Sequence, residues 1–527
     1  MTKLTAGVAI ALPTQRGFLN KYRSQVLALL TLGFTLNFMD RMIMAAIGIP
    51  IRIDMHLTST QLGLLNGLYF ALTYVVLGLP VARIADRINR VGVIGLALLV
   101  WSAFTMLCGT AANFASLAFF RFGVGVGEAG FSAPSHSLIS DMYEPRKRAS
   151  ALSVFNLGIP LGGIFGAVLG GYFADWFGWR AAFYLVGLPG MMVGVLTWLF
   201  VKEPRRGATD GPATALDQAE AVKPKLSLGG ELKELGSIAR TLFLQWPMVN
   251  ILLGMTLVSF SGYGIYSFVS QYVNARFGLS LGATDVLVGL VMATAAGVGT
   301  LAGGFITDYM AKRSPNWNAL VPAIGLIICV PLYALAYTSS DWRIMFLILG
   351  APAALHYLYM APSFALAQNA VPAYRRATMA ALVLFVVNFV ALGGGPTFTG
   401  ALVDYYANLT YVDPSVHSFW PSLGDALPYA LREMVMAYVD LVTFSSHSTV
   451  NAATQVFANA CPGGTAPEHA SLAAVHACSR ALSWGSQQAI LIGLGAYGWG
   501  ALHYVLATFG LAKMLKMQAA TSSAGAH

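Results

Sequence analysis

Twelve apolar runs, each long enough to cross a hydrocarbon layer, divide this chain of 527 residues. A bilayer core of about 30 Å needs ~20 residues of helix. The runs fall at 25–48, 61–82, 91–111, 115–140, 149–173 and 180–201, then at 247–273, 285–310, 319–338, 343–366, 377–402 and 486–512. Backbone groups inside lipid must bond to one another, so this series predicts an all-α membrane protein of twelve transmembrane helices. With 57% hydrophobic and 10% charged residues, against about 25% charged in an ordinary soluble domain, the chain has too little charge to wet a soluble surface. The net charge of +9 is scattered over loops and builds no basic face, so membrane lipids are expected as partners and nucleic acid is not.

The first run follows a basic stretch, Arg16 to Arg23, and is too long for the apolar region of a signal peptide, so it is read as a retained helix. Lys and Arg crowd the loops on the N-terminal side of the membrane. The opposite side has only Arg52, Arg180, Arg276, Arg343, Arg432 and Arg480. Cationic loops stay cytoplasmic, so both termini are expected in the cytoplasm and the protein in the inner or plasma membrane. The domain reading is an N-terminal segment at 1–24, a first set of helices at 25–201, a linker at 202–245, a second set at 247–512 and a tail at 513–527. A Pro-containing outer-side insertion, 405–485, holds Cys461 and Cys478, close in sequence and on the side expected to be oxidising, which predicts a disulfide. Cys108 and Cys329 fall inside runs and read as buried apolar side chains.

The chain repeats itself. Run two ends in Ala82, Asp86, Arg87 and Arg90, and run eight ends in Gly304, Asp308, Lys312 and Arg313. Gly171 with Asp175 and Gly400 with Asp404 place a small residue and an Asp at the same spacing at the outer ends of runs five and eleven. The small residue permits close helix approach and the Asp can cap a helix or pair with a cation. Four matches at corresponding run ends resemble the major facilitator superfamily, with Ala82 and Asn89 standing where glycines are usual. That resemblance implies two six-helix bundles. It makes Asp86, Arg87, Arg90, Asp308, Lys312 and Arg313 a cytoplasmic gating latch of the outward-facing state.

Few ionisable residues lie deep in the runs: Asp40 and Arg41 in run one, Arg121 and Glu128 in run four. Such residues cost several kcal/mol on insertion scales and are usually paired or functional. The seven-residue step from Arg121 to Glu128 keeps one helical face and descends about 10 Å. One reading is two structural pairs, Asp40 with Arg121 and Arg41 with Glu128. Buried pairs stabilise little, however, because desolvation offsets their attraction. The other reading is functional: protonation of Asp40 or Glu128 frees an arginine to hold an anionic headgroup.

Asn37, Asp40 and Arg41 form N-x-x-D-R, and Arg121, Gly125, Gly127, Glu128 and Ala129 form R-x-x-x-G-x-G-E-A, elements that look like the spinster-type branch of that superfamily. The resemblance implies proton-coupled transport of a lysophospholipid or sphingosine-phosphate-like lipid, with Asp40, Arg41, Arg121 and Glu128 in coupling and headgroup binding. His356 is the best titratable candidate in the second half, with Tyr357 and Tyr359 beside it as substrate contacts. Ser259, Ser261, Gly262, Tyr263 and Gly264 make a loosened stretch in run seven where the helix could bend during gating. Two G-x-G-x-x-G stretches, at Gly125 and Gly493, lie inside apolar runs and read as helix packing, since a dinucleotide site needs a preceding strand. No nucleotide-binding or hydrolase motif appears, so neither enzyme activity nor a cofactor or metal is expected. The reading is a monomeric secondary transporter working by alternating access. A carrier of small organic anions such as sugar acids, and a membrane receptor without turnover, are the alternatives.

Overall fold

The computed structural model describes residues 13–85, 88–205, 228–371, 376–415, 420–443 and 453–524. Its first half contains α1 (Pro13–Ala46), α2 (Gly48–Asp54), α3 (Ser59–Asn66), α4 (Leu68–Ala85), α5 (Arg90–Cys108), α6 (Phe114–Glu128), α7 (Ser132–Met142), α8 (Pro145–Asn156), α9 (Gly158–Phe177) and α10 (Trp179–Phe200). The second half contains α11 (Leu228–Leu244), α12 (Trp246–Phe277), α13 (Leu281–Ala311), α14 (Trp317–Tyr337), α15 (Trp342–His356), α16 (Met360–Asn369), α17 (Arg376–Val387) and α18 (Gly393–Val412). It continues through α19 (Trp420–Thr443) and α20 (Gln455–Ala460) to α21 (Leu472–Ala524), which is kinked at Phe509 and Gly510.

Local chemistry sets the helix starts. Thr58 and Gln61 close a capping box on α3, Asn113 and Ser116 another on α6, and the Asn89 side chain accepts the Gly92 amide at the start of α5. Eleven helices among the described residues have the length and hydropathy of a membrane span. Run four, expected as one span, is instead broken after Glu128. Its backbone tightens to bonds from Gly130 to Gly127 and from Phe131 to Glu128, and Pro134 has no N–H for the Gly130 carbonyl. Run seven, in contrast, is one continuous helix in this state. In the continuous helix α12, the Ser261 hydroxyl donates to the Gly493 carbonyl at 2.8 Å and Gly264 lies against the Gly395 backbone, so the small residues serve packing.

Each half has its own core. Leu98, Trp101, Phe131 and Phe155 are buried in the first, and Tyr272, Tyr333, Tyr497 and Tyr504 in the second. Phe305 and Leu347 point outward and are exposed, as expected of lipid-facing surface. Gly125 of α6 rests on Phe70 and Thr73, and Gly127 on the Trp101 backbone, so the first glycine-rich stretch is a packing seam.

The halves meet at the end of the molecule away from the chain termini, here called the far end. Asp404 of α18 accepts the amides of Ser59 and Thr60 at 2.9 and 2.8 Å, together with the Thr60 hydroxyl at 2.7 Å. Asp175 of α9 accepts the Gly282 amide at 2.9 Å. Each Asp of the two outer-end repeats therefore caps the N-terminus of a helix in the opposite half. Gly171 and Gly400, four residues before them, sit against Gly282 and Ser59, where a Cβ would crowd the partner helix.

Candidate functional site

Four charges expected inside the membrane come together between α1 and α6. Arg41 donates to Glu128 Oε2 at 2.7 Å, and Arg121 donates to Asp40 Oδ2 at 3.2 Å. Thr105 of α5 donates to the other Asp40 oxygen at 2.8 Å. Asp40, Arg121 and Glu128 are fully buried, whereas the Arg41 side chain keeps 15% of its surface exposed. Aromatic faces hold the cations in place. The Arg41 guanidinium lies 4.3 Å from the Tyr74 ring centroid, 5.0 Å from that of Phe70 and 5.1 Å from that of Phe38, and Arg121 shares Phe70 at 5.3 Å.

Arg41 and Arg121 line a cavity of about 60 Å³ with Phe38, Asn66 and Phe70 of the first half. Its opposite wall is Tyr263, Tyr266 and Ser267 of α12 with Leu392 and Pro396. The carboxylates of Asp40 and Glu128 stand behind the arginines and do not line it. Two amides lack a hydrogen-bond partner among the described residues: buried Asn37, and Asn66 on the wall, with Glu128 Oε1 in the same condition. The arrangement can present guanidinium donors to an anion from one side and apolar or phenolic surface from the other. Proton transfer to either carboxylate would loosen its arginine.

Other sequence candidates lie elsewhere. His356 Nδ1 pairs with the Tyr333 hydroxyl at 2.8 Å, and its ring stacks near Tyr357 and Tyr497 within the second-half core. The Tyr359 hydroxyl pairs with Ser259 at 3.0 Å, and Tyr357 packs on Gly299. None of the three lines the charged cavity. Asp86 and Arg87 of the expected latch lie outside the described residues. Arg90 donates to Glu203, Asp141 and Ser137 of its own half, at 2.7, 2.6 and 2.8 Å. Asp308 and Lys312 are exposed, and the Arg313 guanidinium lies 5.8 Å from the Tyr309 centroid. Cys461 and Cys478 are joined in a disulfide, and Cys108 and Cys329 are buried and free. Among the described residues no group of three or more potential metal ligands occurs.

Sequence reasoning missed Asn66, Tyr263, Tyr266 and Ser267 as cavity lining. The last three sit at helical i, i+3 and i+4 spacing on α12, a signal that marks one face without saying what that face meets. It also missed Ser59 and Thr60 as the partners of Asp404.

Residues 29–396 match the model of the Major Facilitator Superfamily. An MFS-type efflux pump of Mycolicibacterium smegmatis is 31% identical over 70% of this chain and 82% of its own. The hexuronate transporter of Bacillus subtilis is 26% identical over 73% and 89%, and the sphingosine-1-phosphate transporter SPNS2 of Danio rerio 26% over 83% and 87%. Among solved structures, a bacterial homolog to the human lysosomal transporter Spinster, crystallised inward-facing and unoccupied, superposes with a TM-score of 0.75. It is 28% identical, and the match covers 94% of this chain and 98% of that one.

Proposed function

Because the chain belongs to the major facilitator superfamily, a family of multi-pass membrane transporters and not of enzymes, we propose that it is a proton-coupled secondary transporter of an amphiphilic anionic lipid. A lysophospholipid or a sphingosine-phosphate-like molecule is the substrate class that fits. The observation that carries this reading is Arg41, exposed over 15% of its side chain at a cavity wall, held by Glu128 on one side and three aromatic faces on the other. A cation so placed binds a phosphate or carboxylate, while Tyr263, Tyr266 and Leu392 across the cavity suit the chain of an amphiphile.

The cycle then runs as follows. With the far end closed by Asp404 and Asp175, the site is reached from the side of the termini, which the distribution of Lys and Arg assigns to the cytoplasm of an inner or plasma membrane. Anion binding draws Arg41 from Glu128, and the freed carboxylate takes up a proton. The two bundles, 25–201 and 247–512, rock about the site, with Asp86, Arg87, Arg90, Asp308, Lys312 and Arg313 closing the cytoplasmic side in the outward-facing state. The cavity is lined by one chain, and in this reading the working unit is a monomer.

A second reading, a carrier of sugar acids, is favoured by the hexuronate transporter among the relatives. Its carboxylate substrate would use the same arginine, without the apolar wall. Thermal-shift measurements on the purified protein with lysophospholipids, sphingosine phosphate, hexuronates and detergent alone separate the two readings. Stabilisation by the lipids alone supports the first, and stabilisation by hexuronates alone transfers the function to the second.

A further inference from the structure

We infer that residues 453–464, part of the insertion of the second half, form a plug that locks the far end shut by seating a glycine turn on Arg52 of the first half, with the Cys461–Cys478 disulfide as its anchor. The inference rests on alternating access but not on the identity of the substrate.

The plug is built onto the second half. The Phe457 amide donates to Asn408 of α18 at 2.8 Å, one helical turn beyond Asp404, and Phe457, Cys461 and Cys478 share a core with Ala401 and Leu402. The disulfide ties the end of α20 to the start of α21, so the following turn cannot drift from the bundle.

The tip of the plug reaches the first half. Gly463 and Gly464 have φ of 64° and 79°, a region that favours glycine. A Cβ on Gly464 would overlap the Arg52 guanidinium, and one on Gly463 would come within 2.6 Å of the Arg52 carbonyl and 2.9 Å of Ile53 Cα. Backbone therefore lies flat on the guanidinium face at a spacing that no side chain permits. Arg52 is 1% exposed, donates to Ser59 at 3.3 Å and has no hydrogen-bond partner for Nε. Burial pushes it down to about 10, against the opposing charge of Asp404, so it stays cationic at neutral pH. Beside the tip a cavity of about 220 Å³ separates the plug from Thr58 and Gln61, so the plug is held at a point and not across a broad face. A contact between halves that exists only with the far end closed biases the population toward that state.

The test is hydrogen exchange on the detergent-purified wild-type protein without substrate, oxidised and after thiol reductant. Cys108 and Cys329 are already free thiols, so the reductant has one target. Reduction should speed exchange at residues 50–60 severalfold and slow it at the opposite ends of α4 and α13, which close as the far end opens. Gly464→Ala should reproduce both changes with the disulfide intact. If that variant does not fold, the reduced wild type decides alone. Unchanged exchange at 50–60, or an increase confined to 455–480, overturns the proposal. Because no substrate is present, failure here leaves the transport reading untouched, and absence of lipid transport leaves the lock standing.

Discussion

Arg41 and Glu128 stand 87 positions apart in sequence and meet at 2.7 Å, with the arginine partly exposed to the cavity and the carboxylate fully buried behind it. The arginine thereby stands between the cavity and Glu128. An anion in the cavity competes for the guanidinium, and a proton on the carboxylate removes the competitor, so the two binding events are linked and the linkage is reciprocal.

Glu128→Gln removes the titratable group while keeping its shape. In liposomes, wild-type transport should rise with an imposed proton gradient and fall with a protonophore, whereas Glu128→Gln should transport independently of either. A wild-type rate indifferent to the gradient contradicts the coupling.

Eleven of the twelve runs were legible as spans because each must cross lipid by itself, and a span is a local property of the sequence. The break in run four was not, since Gly130 and Pro134 are hidden in apolar composition and matter only through a missing backbone bond. The pairs Asp40 with Arg121 and Arg41 with Glu128 were within reach of depth counting along two helices. The partner of His356 was not, because periodicity gives a helical face without its neighbours, and this face meets Tyr333. Asp404 was visible as a repeated motif, yet its partners Ser59 and Thr60 lie some 345 residues away across the bundle interface, where no sequence pattern joins them.

If Arg41 is the headgroup clamp, the fork geometry of its guanidinium matters as well as the charge. Arg41→Lys should weaken binding of an anionic lipid by roughly 1–3 kcal/mol, the worth of a charge-assisted hydrogen bond. Arg121→Lys, behind Phe70 and committed to Asp40, should cost less. Calorimetry on folded protein decides between them, and equal affinity in wild type and Arg41→Lys assigns the clamp elsewhere.

The far-end caps should set the resting state. Asp404→Asn keeps an acceptor but loses the charge at the N-terminus of α3, a charge–dipole interaction worth about 0.3–2 kcal/mol. Since 1.4 kcal/mol is a factor of ten, the population open at the far end should grow by roughly 2- to 30-fold. Asp175→Asn should act in the same direction at the second contact. Spin-label distances across the far end should lengthen in each variant, and an unchanged distribution in both would remove the caps from the gating balance.

Gly63 offers a steric version of the same test. It sits in α3 facing the Pro396 carbonyl and Thr397 Cα of α18, and a Cβ there would overlap the opposing backbone. Backbone on both sides leaves no flexible side chain to yield, so Gly63→Leu cannot coexist with a closed far end. Within α3 alone, leucine is a better helix former than glycine, so the first half should still fold. The expected protein is monodisperse, open at the far end and unable to complete a transport cycle, with faster hydrogen exchange at 59–66 and 396–404 than wild type. Normal transport together with wild-type exchange at both segments would mean that the halves do not close on one another at Gly63 during the cycle.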